Sequence, residues 1–363
     1  MRLIIAGGGS GGHFFPALAI MHEIVRRNRD IEYLYVGSDS GIERAKWTLP
    51  ESNRRLLGVK GFRGKTVAEK LAASLLLAGS LYASYRIMRD FVPDAVLGVG
   101  GYASFPVVMA AVVLRIPSAI HEQNSVPGLA NRILSRLVKR VFVSFETANR
   151  YLPAGKSVTT GLPIRFQPHR RQDPGQGTQV PRTILVIGGS QGAHQINSMV
   201  TASLRDLADL RDRIAFVHQT GTSDYAAVVD AYRSSGFNAQ VRTFIDDMAP
   251  VFERADMAIS RAGASTLFEL AAYGIPSVLI PYPHAASDHQ ALNALEVSEA
   301  GGAVVLPVRT QEPGPLVKVL RELVSQEGRL QRMSAAATRW SKPGAAARIV
   351  DEMVALAAKE RHA

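Results

Sequence analysis

A strand that stops at clustered glycines and opens a helix occurs twice in this chain. Leu3 to His13 reads LIIAGGGSGGH, and Thr183 to His194 reads TILVIGGSQGAH. In each, a short β-branched run ends in glycines and a helix-compatible stretch follows. The first N–H groups of such a helix are unpaired and carry the positive end of its dipole, so the loop suits an anion. Two such units half a chain apart predict two doubly wound, Rossmann-like α/β domains facing a cleft. One would hold a phosphate-bearing donor and the other an acceptor.

The length of 363 residues admits two domains, each of roughly 150–180 residues. With 47% hydrophobic and 20% charged residues, a packed core is expected rather than disorder. There is no cysteine. Disulfides, thiolate metal sites and a cysteine nucleophile are therefore excluded, and a reducing compartment fits. The start, MRLIIAGGG, runs straight into a strand, so no secretory signal is expected. Charge is lopsided: residues 1–163 hold 21 Lys and Arg against 11 Asp and Glu, the remainder 21 against 20. A basic first half suits nucleic acid, an acidic substrate or an anionic membrane, or is a solvated surface.

Strand-like runs fall at Leu3–Ala6, Tyr33–Val36, Ala95–Val99, Ser118–Ile120 and Val141–Val143. In the second half they fall at Ile184–Ile187, Ala215–His218, Val241–Phe244, Met257–Ile259, Ser277–Ile280 and Ala303–Val305. Helical patterns between them predict parallel sheets covered on both faces. The first domain is expected over 1–163 and the second over 164–343, after a polar Pro/Gly loop at Pro168–Gly177. A C-terminal helix within 344–363 is expected to cross back to the first domain at Pro343-Gly344.

Ala95–Leu114 carries no charge, but Gly98, Gly100-Gly101 and Pro106 break it into strand, turn and helix rather than a membrane span. Leu71–Tyr85, LAASLLLAGSLYASY, is too short to span. Lys60, Arg63, Lys65, Lys70, Arg86 and Arg89 flank it, which suits a helix resting on an anionic bilayer. The alternative is an ordinary core helix with a wet edge.

Gly7–Gly12 satisfies G-x-G-x-x-G, yet a dinucleotide site also needs an acid at the end of the second strand, and Asp39 stands slightly beyond it. His13 ends the loop, where an imidazole can accept a proton. A third glycine turn, Gly98–Ser104, and the polar loop His121-Glu122-Gln123-Asn124 follow later strands, at the ends where ligands gather in open α/β sheets. In the second half, Arg261–Glu269 follows a strand. Ser265 or Thr266 suits a helix cap, and Glu269, one turn in, suits a ribose diol. His284, Asp288, His289 and Gln290 follow the next strand.

The ordered set GGGSGGH, GVGGYASFP, HEQNSVPGLANR, GLPIR, GGSQGAHQIN, SRAGASTLFELAAYGIPSVLIPYP and SDHQALNA closely resembles the MurG family. These are UDP-N-acetylglucosamine–N-acetylmuramyl-(pentapeptide) pyrophosphoryl-undecaprenol N-acetylglucosamine transferases, and the resemblance covers nearly the whole chain. It implies the two-domain GT-B fold, inversion at the anomeric carbon, and conversion of lipid I to lipid II for peptidoglycan at the cytoplasmic face of the inner membrane. It further implies that the second half binds UDP-GlcNAc. Ile245 would meet uracil through its backbone and Glu269 the ribose. Ser190, Arg165 and the helix start Ala264-Ser265-Thr266 would meet the diphosphate, with Leu267 and Phe268 also among the donor-binding residues. Gln290, with His289 nearby, would meet the sugar, helped by Asn124. The first half would hold lipid I, its diphosphate on Ser10-Gly11-Gly12 and the Tyr102–Ser104 turn, with His13 or Glu122 as base.

Two departures from the family pattern stand out. Phe105 takes the place of a small residue, and His289 that of the first member of a Gln-Gln pair. The resemblance implies a single displacement, in which the acceptor's 4-hydroxyl attacks C1 of GlcNAc and UDP leaves. No D-x-D triplet occurs, so no metal or cofactor is expected, Mg²⁺ at most assisting weakly. Nor is a nucleic-acid partner expected. The rival readings are a nicotinamide dehydrogenase, resting on the first loop, and a basic membrane-associated scaffold, resting on the charge.

Overall fold

The computed structural model describes residues 1–27, 30–39, 42–58, 67–165, 181–189, 191–285, 288–307, 312–326 and 328–361, with the side chains of 42, 45, 67–75 and 360–361 set aside. The Pro168–Gly177 loop, Ser190, Lys60, Arg63 and Lys65 lie outside the described residues, as do the side chains of Lys70 and Leu75. The chain divides into two units, Met1–Arg165 with Pro343–Ala363, and Phe166–Lys342.

The first unit holds strands β1 (Arg2–Ala6), β2 (Glu32–Ser38), β3 (Arg54–Leu57), β4 (Ala95–Gly98), β5 (Ser118–Glu122), β6 (Arg140–Val143) and β7 (Ser157–Thr159). Its helices are α1 (Gly11–Arg26), α2 (Ile42–Ala45), α3 (Val67–Phe91), α4 (Ser104–Val113) and α5 (Leu129–Leu137). The second unit holds β8 (Arg182–Ile187), β9 (Ile214–Gln219), β10 (Ala239–Arg242), β11 (Met257–Ser260), β12 (Ser277–Leu279) and β13 (Ala303–Val305). Its helices are α6 (His194–Ser203), α7 (Tyr225–Ser235), α8 (Ala249–Arg254), α9 (Ala264–Ala272), α10 (His289–Glu299), α11 (Gly314–Ser325) and α12 (Arg329–Trp340), and α13 (Ala345–Arg361) ends the chain in the first unit.

Both sheets are parallel, ordered β3-β2-β1-β4-β5-β6-β7 and β10-β9-β8-β11-β12-β13. Each reverses direction beside its first strand, between β1 and β4 and between β8 and β11. That is where doubly wound sheets open a crevice at their strand C-termini. The central strands are buried on both faces, which explains their continuous apolar runs. In the first unit Leu3, Ile5 and Leu97 pack with Phe14, Leu18 and Met21 of α1 and with Ile349, Val350 and Met353 of α13. Arg27 ties the two helices through Asp351 at 2.8 Å. On the opposite face Ile4, Val96 and Ile120 pack with Met88 of α3, Val107 and Val108 of α4, and Leu134 of α5.

Strands β3 and β7 carry no apolar run that the sequence reading could detect. They are edge strands, paired on one side, and Arg-Arg-Leu-Leu and Ser-Val-Thr suffice there. Strand β10 ends at Arg242, two residues before the expected Phe244, which is 45% exposed beyond the sheet edge. Ala95–Leu114 divides into β4, a turn and α4, and no helix among the described residues is long and apolar enough to cross a membrane.

Candidate active site

In the first unit, Ser10 is the N-cap of α1 but caps no backbone N–H. Its hydroxyl instead meets His13 Nδ1 at 2.9 Å. In the tautomer whose Nδ1–H donates to Ser10, the Nε2 edge carries the lone pair. That edge of the ring lies over Gly100, where φ is +83° and a Cβ would fall 2.5 Å from His13 Cδ2 and 3.0 Å from Nε2. Desolvation pushes the His13 pKa down to about 4, so the ring is neutral at physiological pH. Gly11 and Gly12 form the first turn of α1, and Gly12 is exposed. Tyr102 is 55% exposed beside Gly9, whereas Ser104 is buried behind Gly98, its Oγ without a partner among the described residues. The Tyr102 side chain is therefore open to solvent and the Ser104 hydroxyl is not.

Beneath His13 runs a chain of directional bonds. His121 Nε2–H donates to the Gly161 carbonyl at 3.1 Å, so its Nδ1 accepts from Gln123 Nε2 at 3.1 Å. The same amide donates to the Val99 carbonyl at 2.8 Å, which turns Gln123 Oε1 toward Gly100 and His13. Burial holds His121 neutral, its pKa lowered to about 4.

Glu122 is placed differently from expectation. Its carboxylate accepts from the N–H groups of Asn124 at 3.0 Å and Gly128 at 3.1 Å and from Asn131 Nδ2 at 2.8 Å. The Asn124 side chain donates to it as well, and burial raises its pKa in spite of these bonds. Glu122 therefore staples the 123–128 loop from inside and is turned away from the crevice. Asn124, half-buried, is the loop residue that Glu122 orients. Arg165 stacks on Phe15, its guanidinium carbon 3.9 Å from the ring centroid.

In the second unit, Gly263 is the N-cap of α9 and no side chain caps the helix. The N–H groups of Ala264, Ser265 and Thr266 are thus the open donors of its first turn, and Leu267 N–H bonds Gly263 O at 3.0 Å. Arg261 lies just ahead of them, its Nη1 donating to the carbonyls of Ile280 and Pro281 at 3.0 and 3.1 Å. Glu269, 7% exposed, follows on the second turn. Leu267 and Phe268 follow in the same helix. Both are core side chains, 1% and 2% exposed, and Phe268 stacks on Trp340 at 4.6 Å.

Gln219 ends β9 and bridges two loops. It accepts from Ile245 N–H at 2.8 Å and donates to the Gly189 carbonyl at 2.9 Å. The Ile245 N–H is therefore already engaged within the protein. Asn197 donates to the Thr220 carbonyl and Asp224 while accepting from His218 Nε2, bracing the loops after β8 and β9. Gln290 Oε1 accepts from Tyr282 N–H at 3.0 Å, which leaves its amide nitrogen as the group for a sugar hydroxyl. Gln219 was absent from the motifs read in the sequence, and Asn197 and Arg261 stood in them without an assigned role. A polar residue at the C-terminal end of a parallel strand or the start of the next helix was the available sign.

The outer layer of the first unit is apolar and basic. On α3, Ser80, Ser84 and Met88 face inward, while Leu76, Tyr82 and Tyr85 are 40%, 65% and 38% exposed beside exposed Arg86 and Arg89. On α5, Leu129, Ile133 and Leu137 form an exposed stripe at helical spacing, with Arg132 and Arg136 between them. The sequence reading found the first of these faces but not the second.

Two parallel-sheet units of this kind, each with open loops where its sheet reverses, have the GT-B fold of glycosyltransferases. Residues 3–143 match the glycosyltransferase family 28 N-terminal domain and 183–349 its C-terminal domain. The chain is 43% identical over 354 residues to the UDP-N-acetylglucosamine–N-acetylmuramyl-(pentapeptide) pyrophosphoryl-undecaprenol N-acetylglucosamine transferase of Anaeromyxobacter dehalogenans strain 2CP-1, covering 97% of this chain and 92% of the relative. It is 41% identical to that of Geobacter sulfurreducens, over 99% and 100%. The crystal structure of Acinetobacter baumannii MurG superposes with a TM-score of 0.78 at 30% identity, covering 97% of this chain and 99% of that one. The chain belongs to the MurG family of glycosyltransferases. That membership removes the nicotinamide dehydrogenase and scaffold readings.

Proposed function

We propose that this enzyme is an inverting, UDP-GlcNAc-dependent hexosyltransferase that moves GlcNAc to the MurNAc 4-hydroxyl of undecaprenyl-pyrophosphoryl-MurNAc-pentapeptide, converting lipid I to lipid II in peptidoglycan synthesis. The observation that carries the reading is the uncapped start of α9 beside Arg261, with the Glu269 carboxylate one turn on. Three open N–H groups and a fixed cation suit a diphosphate that gains charge as it leaves, and a carboxylate suits a ribose diol. Residues 164–343 bind the donor. The Ile245 carbonyl meets uracil N3–H, Glu269 the ribose, and the N–H groups of Ala264–Thr266 the diphosphate, with Ser190 and Arg165. The Gln290 amide and Asn124 meet GlcNAc.

Residues 1–163, completed by α13, hold lipid I, with its diphosphate at Ser10, Gly11 and Gly12. His13 Nε2 takes the proton from the attacking hydroxyl, since Glu122 is consumed by its loop. Release of UDP from UDP-GlcNAc only when a soluble lipid I analogue is present tests the assignment; equal release with water as acceptor, or none at all, refutes it.

A polyprenyl-anchored acceptor stays in its bilayer, so the enzyme works as a peripheral protein on an anionic membrane surface at the cytoplasmic face. The exposed apolar residues of α3 and α5 dip below the headgroups while Arg86, Arg89, Arg132 and Arg136 meet lipid phosphates. Each basic contact is worth about 1 kcal/mol and is screened by salt. The protein should sediment with vesicles containing phosphatidylglycerol at low salt and partly release at high salt. Replacing both Leu76 and Leu129 by Ser should weaken sedimentation yet spare turnover of a soluble acceptor, because both side chains are solvent-exposed. Equal binding to neutral and anionic vesicles contradicts the electrostatic half of this reading.

A further inference from the structure

The glycine loop after β1 already holds an anion. Gly9 N–H donates to Glu43 Oε1 at 2.6 Å, across 34 residues of chain, and Ser38 N–H approaches the same oxygen at 3.3 Å. The fit is close: φ at Gly8 is +111°, and a Cβ there would fall 1.9 Å from Glu43 Oε1. Glu43 itself is fully buried in α2. Arg54 of β3 fastens that helix by donating to the Glu43 carbonyl at 2.9 Å. On the other side of the loop Tyr35 donates to the Gly7 carbonyl at 3.1 Å.

The second carboxylate oxygen, Oε2, is buried without a partner among the described residues. A buried, half-satisfied carboxylate is costly, and an apolar residue would fill the same space more stably. Such local cost concentrates where function holds a group in place. The residue after Gly9 is Ser10, and Ser10 holds His13 Nδ1. Glu43 is thus three links from the ring edge proposed to take the proton, and it touches none of the reacting atoms.

We propose that Glu43 is a positioning residue of the transfer reaction: its carboxylate anchors Gly9, which fixes Ser10 and the orientation of His13, and it removes the Gly9 N–H from the groups open to the acceptor's diphosphate. The proposal rests on the transferase reading above. It also explains why a loop that satisfies G-x-G-x-x-G is poorly suited to a nucleotide, since the anion-binding position at Gly9 is filled by the protein's own charge.

The test compares the wild type with Glu43→Gln, Glu43→Asp and Glu43→Ala in the UDP-release assay, using UDP-GlcNAc and a soluble lipid I analogue. Gln keeps an acceptor oxygen at the same reach; Asp keeps the charge but falls one methylene short of Gly9. A misplaced catalytic group costs orders of magnitude, so E43D and E43A should lose at least about tenfold in kcat while the donor KM stays within about twofold. E43Q should stay within about threefold of the wild type. In E43A the acid limb of kcat/KM should also move up toward the ordinary histidine range as the loosened His13 ring gains solvent.

Wild-type kcat in E43D, or an E43Q as defective as E43D, overturns the proposal. So does an active E43D beside an inactive E43Q, because charge rather than position would then matter. Should E43A not fold, the Gln and Asp variants carry the test. A wild type that releases no UDP strikes the transferase reading, not this one.

Discussion

Replacing His13 with alanine should lower kcat at least about a hundredfold while UDP binding persists, because a general base contributes about 10²–10⁴ in rate. The structure narrows the choice of base. Glu122, the other candidate, spends its carboxylate on Asn124, Gly128 and Asn131. Its replacement should therefore disturb the loop that presents Asn124, raising the donor KM along with lowering kcat. His13 is partly exposed, held by Ser10 on one edge and backed by Gly100 on the other. A near-normal kcat in a folded His13→Ala variant would remove the imidazole from the mechanism.

The pH profile sharpens this. In the free enzyme the His13 pKa lies at about 4 because burial disfavours the imidazolium. The lone-pair form therefore persists as pH falls, and the acid limb of kcat/KM should lie well below the ordinary histidine value. A bound diphosphate favours the imidazolium, so the acid limb of kcat, which reports the bound state, should lie at higher pH. That shift brings the base nearer the operating pH just when the acceptor is present. Coincident limbs would place the diphosphate elsewhere.

What the sequence made legible was the backbone grammar. Apolar runs buried on both faces marked the central strands, and glycines marked the loops where each sheet reverses. Hydrogen-bond commitments were not legible, because they are made by tertiary register. Glu122 looks like a base until Gly128 and Asn131 fold over it. Which backbone group Ile245 leaves open shows only once Gln219 takes its N–H. Glu43 carries no local mark, and only the packing of α2 on the first loop reveals its use.

Helix periodicity was legible in part. On a helix each residue turns about 100° from the last, so Leu267 and Phe268 cannot share the face of Glu269. Periodicity alone assigns both to the core, where they lie. The exposed stripe Leu129–Ile133–Leu137 had the same spacing as a core face. Only its packing shows that the stripe faces out and Leu134 faces in.

The second large effect is on the donor side. Glu269→Ala should raise the UDP-GlcNAc KM roughly ten- to a hundredfold, since a charged hydrogen-bond partner is worth about 1.5–3 kcal/mol. The carboxylate is 7% exposed on the second turn of α9, beyond the open N–H groups of the first. In that position a ligand diphosphate at the helix start and a ribose beside Glu269 are separated by about one helical turn of roughly 5 Å. The decisive comparison is between ligands. In the wild type, 2′-deoxy-UDP should bind more weakly than UDP, because one hydroxyl of the pair is gone. In Glu269→Ala the two should bind alike, because the hydroxyl has lost its acceptor; the difference between the two ratios isolates the contact from any general loosening of α9. If the variant still discriminates the deoxy ligand as the wild type does, the ribose lies elsewhere and the assignment of Glu269 fails.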